Sequence, residues 1–143
     1  MKTLTKYLYL MLLFTSILFS FTDCKSIRVN SSNVLARTFG ENFTKFYDRF
    51  HKDSVFQMSR IKFPLSGMSA DGSGEKNWDK KNWRVMRVKI YDVDTAQFKV
   101  YFKKTEKVFI QKVWIANSGF SSECRFELID RRWYLMYVLD QNF

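Results

Sequence analysis

The sequence predicts an α+β domain in which N-terminal helices pack on one face of a curved, mostly antiparallel sheet. Three observations carry this reading. Phe39, Phe43, Phe46, Tyr47 and Phe50 fall at helical spacing. From Trp83 onward apolar and polar residues alternate with a period of two. The connections between the alternating stretches are short and polar, which joins antiparallel neighbours, and helices followed by strands is the α+β order. With 143 residues, 46% of them hydrophobic and only one Pro, the chain holds one core and is neither collagen-like, low-complexity nor disordered. The 15 Phe, 7 Tyr and 4 Trp supply the buried area that a small core needs.

At the N-terminus, Lys2 and Lys6 precede an apolar run over residues 7–21 whose polar members are Thr15, Ser16 and Ser20. This matches the charged and apolar parts of a secretory signal, and the run is shorter than the roughly 20 residues of a membrane-spanning helix. Residues 1–23 are therefore read as a signal peptide. The expected location is the periplasm or the outer membrane through a lipid anchor, or otherwise the medium. Cys24 has a bulky apolar residue, Phe21, three positions before it, and is the candidate lipidation site. The alternative is cleavage near Thr22, which leaves Cys24 to pair with Cys124 in an oxidising compartment. Residues 24–37 are polar and aperiodic and read as a tether; residues 38–143 form the domain.

Within the domain the first helix carries Glu41, Lys45, Asp48 and Arg49 on its outer side. A second, short helix follows, capped by Asp53 or Ser54, with Val55, Phe56, Met58 and Ile61 inward and Pro64 as its stop. Residues 65–82 read as a surface loop anchored by Trp78. Five strands are then expected at residues 84–90, 96–103, 108–115, 124–129 and 133–139.

The stretch FYDRFHKDSVFQMSRIKFPL at residues 46–65 and the closing ELIDRRWYL at residues 127–135 resemble an uncharacterised family of exported proteins and lipoproteins from Gram-negative anaerobes. The likeness covers most of residues 38–143. It implies the cone-shaped fold of nuclear transport factor two, a superfold that hosts isomerases, dehydratases and plain binding modules, so the fold alone carries no function. It also implies a pocket between helix and concave sheet, with Phe46, Phe50, Phe98, Phe102, Trp114 and Trp133 as candidate lining residues.

The chemistry-bearing residues are few. His51 is the one imidazole, and it sits near the end of the first helix beside Lys52, where the helix dipole favours a His without any catalytic reason. An isomerase of this superfold would want a carboxyl in an apolar pocket. Asp140 and Glu127 are the candidates, and strand phase places both at the rim or outside. Residues 69–75 partly match a calcium loop, but Ser69 replaces the first acidic ligand and Lys80 stands where a bidentate Glu is required. Two Cys and one His lack zinc spacing, so neither metal nor cofactor is expected.

Without residues 1–24 the chain has 22 Lys and Arg against 13 Asp and Glu, a net charge of +9. Strand alternation gathers Arg87, Lys89, Lys99, Lys103 and Arg125 on the outer sheet face, together with Tyr91 and Tyr101. The leading expectation is a non-catalytic envelope module that binds a small ligand in the cone. The first alternative is a basic face that binds anionic envelope glycans or lipid head groups; export argues against nucleic acid. The second is a small isomerase-like or hydrolase-like enzyme. The outer face is also a candidate homodimer surface, opposed by its like charge.

Overall fold

The computed structural model describes residues 40–143. The signal peptide, Cys24 and the tether lie outside the described residues. Helix α1 (Phe43–Lys52) is capped by Asn42, whose side chain accepts from the Lys45 amide, and it ends in Arg49, His51 and Lys52, which suit the negative end of the helix dipole. Asp53 caps α2 (Ser54–Ser59) by accepting from the Phe56 amide at 2.9 Å. Six strands follow: β1 (Ile61–Asp71), β2 (Gly74–Trp78), β3 (Lys99–Lys104), β4 (Val108–Trp114), β5 (Phe120–Ile129) and β6 (Arg132–Asn142). They form one sheet in the order β2-β1-β6-β5-β4-β3, in which only β1 and β6 run parallel.

Two expectations about the strands are corrected. Residues 65–82 are not a loop: Ile61–Asp71 and Gly74–Trp78 make a hairpin whose turn is held by the Asp71 carboxylate accepting from the Ser73 amide. Pro64 lies at a register irregularity between Ile61 and Ser66, where a strand tolerates proline. Gly67 has φ +91°, and a Cβ there would stand 2.0 Å from the Val138 carbonyl oxygen, so only glycine lets β1 approach β6 this closely. The second correction concerns residues 83–89, which pair with no strand before the short 3-10 turn Ile90–Asp92.

That segment is held by α2 instead. The Gln57 amide donates to Phe50 O at 2.7 Å and Met86 O at 2.8 Å, and its oxygen accepts from the Met86 amide at 2.9 Å and Trp83 Nε1 at 3.1 Å. This clamp turns α2 so that Gln57 is 0% exposed while Val55, expected inside, is 80% exposed. A buried amide with every group satisfied is compatible with a core, whereas stranded peptide groups would not be.

The core lies between α1 and the concave sheet face. Phe43 meets Phe109 at 4.5 Å and Trp133 edge-on at 4.8 Å, while Phe50 meets Phe126 edge-on at 5.2 Å. Arg60 closes the base. Its guanidinium forks onto Glu41 at 2.9 and 3.0 Å, and Glu41 also accepts from the Trp133 amide.

Candidate functional site

Along β5 and β6 the concave face changes character. Phe126 and Leu135 lie under α1, as do Cys124 and Val138 one pair further on; the next pairs are Ser122 with Asp140 and Phe120 with Asn142. There α1 no longer covers the sheet, and a cavity of about 290 Å³ opens. The β1–β2 hairpin supplies Ser69, Asp71, Lys76 and Trp78 to its wall, the following segment supplies Asn82 and Arg84, and β6 supplies Asp140, Gln141 and Asn142. Trp78 divides core from cavity, with its indole N–H donating to Val138 O at 2.9 Å and its ring edge-on to Trp83 at 5.6 Å.

Asp140 is the most unusual group in this wall. Ser122 Oγ donates to its Oδ1 at 2.5 Å, and burial pushes its carboxyl above the ordinary range despite the opposing charge of Arg84. Asp71 has the reverse environment. Hydrogen bonds from the Ser73 hydroxyl and amide hold its carboxyl low, with Lys76 and Arg84 adding to the effect.

The sequence puts Asp140 at the rim or outside, and the structure puts it inside. The reason is a bulge: Arg125 pairs with Tyr137 and Phe126 with Leu135, so Met136 is an extra residue on β6. The phase then flips, and Val138 and Asp140 point to the concave side with Leu135. Glu127 stays outside, accepting from Arg125 at 2.8 Å.

The predicted lining residues are scattered. Phe46, Phe50 and Trp133 are buried in the packed core and line neither this cavity nor the open groove described next. Phe102 is half exposed and meets Tyr91 edge-on at 5.0 Å. Phe98 packs on Phe120, which borders the cavity, at 5.8 Å. Trp114 lines a shallower groove of about 550 Å³ with Tyr101 and Lys112 on the opposite face. The helix fills the half of the cone that these aromatics were expected to leave open.

The basic residues divide as well. Cross-strand pairing puts Lys99, Lys103 and Arg125 on the face away from the helices, with Lys112 between them. Glu127 pairs with Arg125 at 2.8 Å and Glu123 lies 4.0 Å from Lys112. Arg87 and Lys89 are elsewhere, because the segment carrying them is clamped beside the helices. Arg87 donates to Lys52 O at 3.1 Å, and Lys89 pairs with Asp48 at 3.1 Å and Asp92 at 3.6 Å. Tyr91 packs on Tyr47 on this same side.

His51 is buried. Its Nδ1 lies 2.8 Å from Tyr47 O, so the neutral ring donates there and leaves Nε2 without a hydrogen-bond partner. Burial lowers its pKa. Tyr47, whose hydroxyl donates to Gln111 and accepts from the Ile90 amide, covers it edge-on. Cys124 is also buried, and desolvation pushes its thiol up to about 12, which makes it a poor nucleophile. No group of three or more His, Cys, Asp or Glu among the described residues is arranged to hold a metal.

The profile of an uncharacterised Bacteroides protein family matches residues 41–143. Among curated proteins, none matches the chain. Solved structures share its fold. A Bacteroides uniformis protein has TM-score 0.54 at 22% identity, covering 72% of this chain and 77% of its own. An NTF2-like protein from Bacteroides fragilis has TM-score 0.52 at 22% identity over 73% of this chain, which spans only 48% of that longer protein. A cystatin-like protein from Bacteroides caccae has TM-score 0.54 at 24% identity, covering 70% of this chain and 76% of its own. The helix order, the curved sheet and the profile match over nearly all of the described residues lead to one conclusion: the chain belongs to this uncharacterised Bacteroides family and has the NTF2-like α+β fold.

Proposed function

We propose that this protein is a non-catalytic binding module that holds a small polar ligand in the cavity bounded by the β1–β2 hairpin and the ends of β5 and β6. The observation that carries the reading is the cavity wall itself: about 290 Å³ with Asp140, Asp71, Arg84 and Lys76 converging on it beside the indole of Trp78. Its volume lies just under the usual range for ligand sites, and its wall, with Trp78 and Phe120 as the large apolar members, is more polar than such sites commonly are, which suits a small polar ligand. The charged residues and apolar run at the N-terminus support export to the envelope, with Cys24 as the proposed point of lipid attachment.

The test is an NMR fragment screen on ¹⁵N-labelled mature protein, read at the Trp78 indole N–H. Binding at this resonance, lost in a Ser69→Phe variant that fills the cavity but retains its thermal midpoint, supports the reading. Fragments that shift only residues of the outer sheet face would overturn it.

A second reading, a small isomerase-like enzyme, is favoured by one observation. Asp140 and Asp71 share the cavity and their environments push their pKa values apart, as acid–base chemistry requires. Turnover of any bound compound that disappears in Asp140→Asn while binding persists would favour the enzyme. Binding to the outer basic face is weakened by the acidic partners of Lys112 and Arg125.

A further inference from the structure

Resting on the cavity reading, the wall also states what its occupant must look like. Arg84 is exposed and makes no hydrogen bond or ion pair with the described residues, and its charge favours the ionised form of both Asp71 and Asp140, although burial still holds the Asp140 carboxyl above its ordinary range. A guanidinium presented in this way has its planar fork of donors free, and that fork matches a carboxylate. Asp140 uses Oδ1 for Ser122, while its other oxygen takes no hydrogen bond from the described residues. Asp71 is in the same position, with Oδ1 engaged by Ser73. The cavity therefore shows an unused cationic donor fork and unused anionic acceptors at once.

From this juxtaposition we infer that the ligand is a small zwitterion of the α-amino acid class, with its carboxylate on Arg84 and its ammonium on Asp140. The other ligand charges fit less well. A plain anion would face Asp71 and Asp140, and a plain cation would face Arg84 and Lys76. A neutral ligand would displace water from all four without giving any of them a counter-charge. Trp78 offers an apolar wall to a side chain, and the Ser69 and Ser122 hydroxyls border the polar end.

The experiment titrates the mature protein with four pools of matched compounds: free α-amino acids, their amides, their N-acetyl derivatives, and their N-acetyl amides. These present both charges, the cation alone, the anion alone and neither. Shifts of the Trp78 indole N–H and the Arg84 Nε–H are followed. The proposal expects the free amino acids to bind at least tenfold more tightly than the other three pools. Arg84→Met should abolish the preference over the amides, and Asp140→Asn the preference over the N-acetyl derivatives. If a singly charged or neutral pool binds as tightly at these resonances, the ligand class is wrong and the cavity reading survives. If all four pools fail while the fragment screen succeeds, the class is again wrong. If both fail, both proposals fall.

Discussion

Replacing Gln57 with leucine tests whether the α2 clamp, rather than strand pairing, holds residues 83–89. Gln57 is fully buried and makes four hydrogen bonds, two donated and two accepted. Leucine keeps the approximate volume and removes all four. Phe50 O, beneath the helix end, has no route to water and costs about 2 kcal/mol when stranded. The three groups on Trp83 and Met86 are only partly buried and can open to solvent, so together they cost about 2 kcal/mol. The more apolar side chain returns about 1 kcal/mol, leaving a net loss of about 3 kcal/mol. For a domain of this size that lowers the thermal midpoint by roughly 10–15 °C. Urea unfolding measures the loss, and hydrogen exchange locates it: the Met86 amide should exchange much faster while amides of β5 and β6 follow only the global change. Gln57→Glu should recover part of the loss as pH falls, because the protonated carboxyl donates again. A midpoint within 2 °C of the parent, with Met86 still protected, would refute the clamp.

Other expectations follow from single side chains. Gly67→Ala, with its Cβ driven toward Val138 O at a positive φ, should cost at least about 2 kcal/mol in urea unfolding, whereas Gly72→Ala, whose Cβ meets nothing, should change stability little. His51 has a folded pKa below its ordinary value, so the unfolded chain binds the proton first. Stability should be intact above about pH 6.5 and fall as pH drops below it, a dependence that His51→Phe should reduce. Cys124 has the opposite sign: its thiol is raised from 9.0 to about 12, so stability should decline as pH rises across that interval, and a thiol reagent should label the protein only after unfolding.

How legible these features are in sequence depends on what each side chain faces. Helix α1 is legible because Phe43, Phe46, Tyr47 and Phe50 all meet the core, giving a clean apolar stripe. Strands β4 to β6 are legible because alternation reports one buried face, and β3 keeps the alternation although it is mostly exposed. The β1–β2 hairpin is not, because Ser69, Asp71 and Lys76 line a polar cavity, and Pro64 and Gly67 look like breakers although each occupies a position that its backbone suits. Residues 83–89 show the reverse error. Trp83 and Met86 are held beside α2 without strand partners, while Val88, which the alternation would bury, is exposed, as is Val85. The candidate site was hidden for two physical reasons. Its polar lining gives no hydrophobic periodicity, and the β6 bulge that turns Asp140 inward leaves no mark on composition. Aromatics were the visible feature, and they went to the core.

The central claim is that the polar end of the concave sheet face holds a ligand. Heteronuclear NMR titration of the protein with the amino acid pool, followed at the Trp78 indole N–H and compared with the Ser69→Phe variant, addresses it most directly. Saturable shifts in the parent that vanish in the variant are the expected result; identical shifts in both proteins, or shifts confined to the strands carrying Lys99 and Lys103, would contradict it.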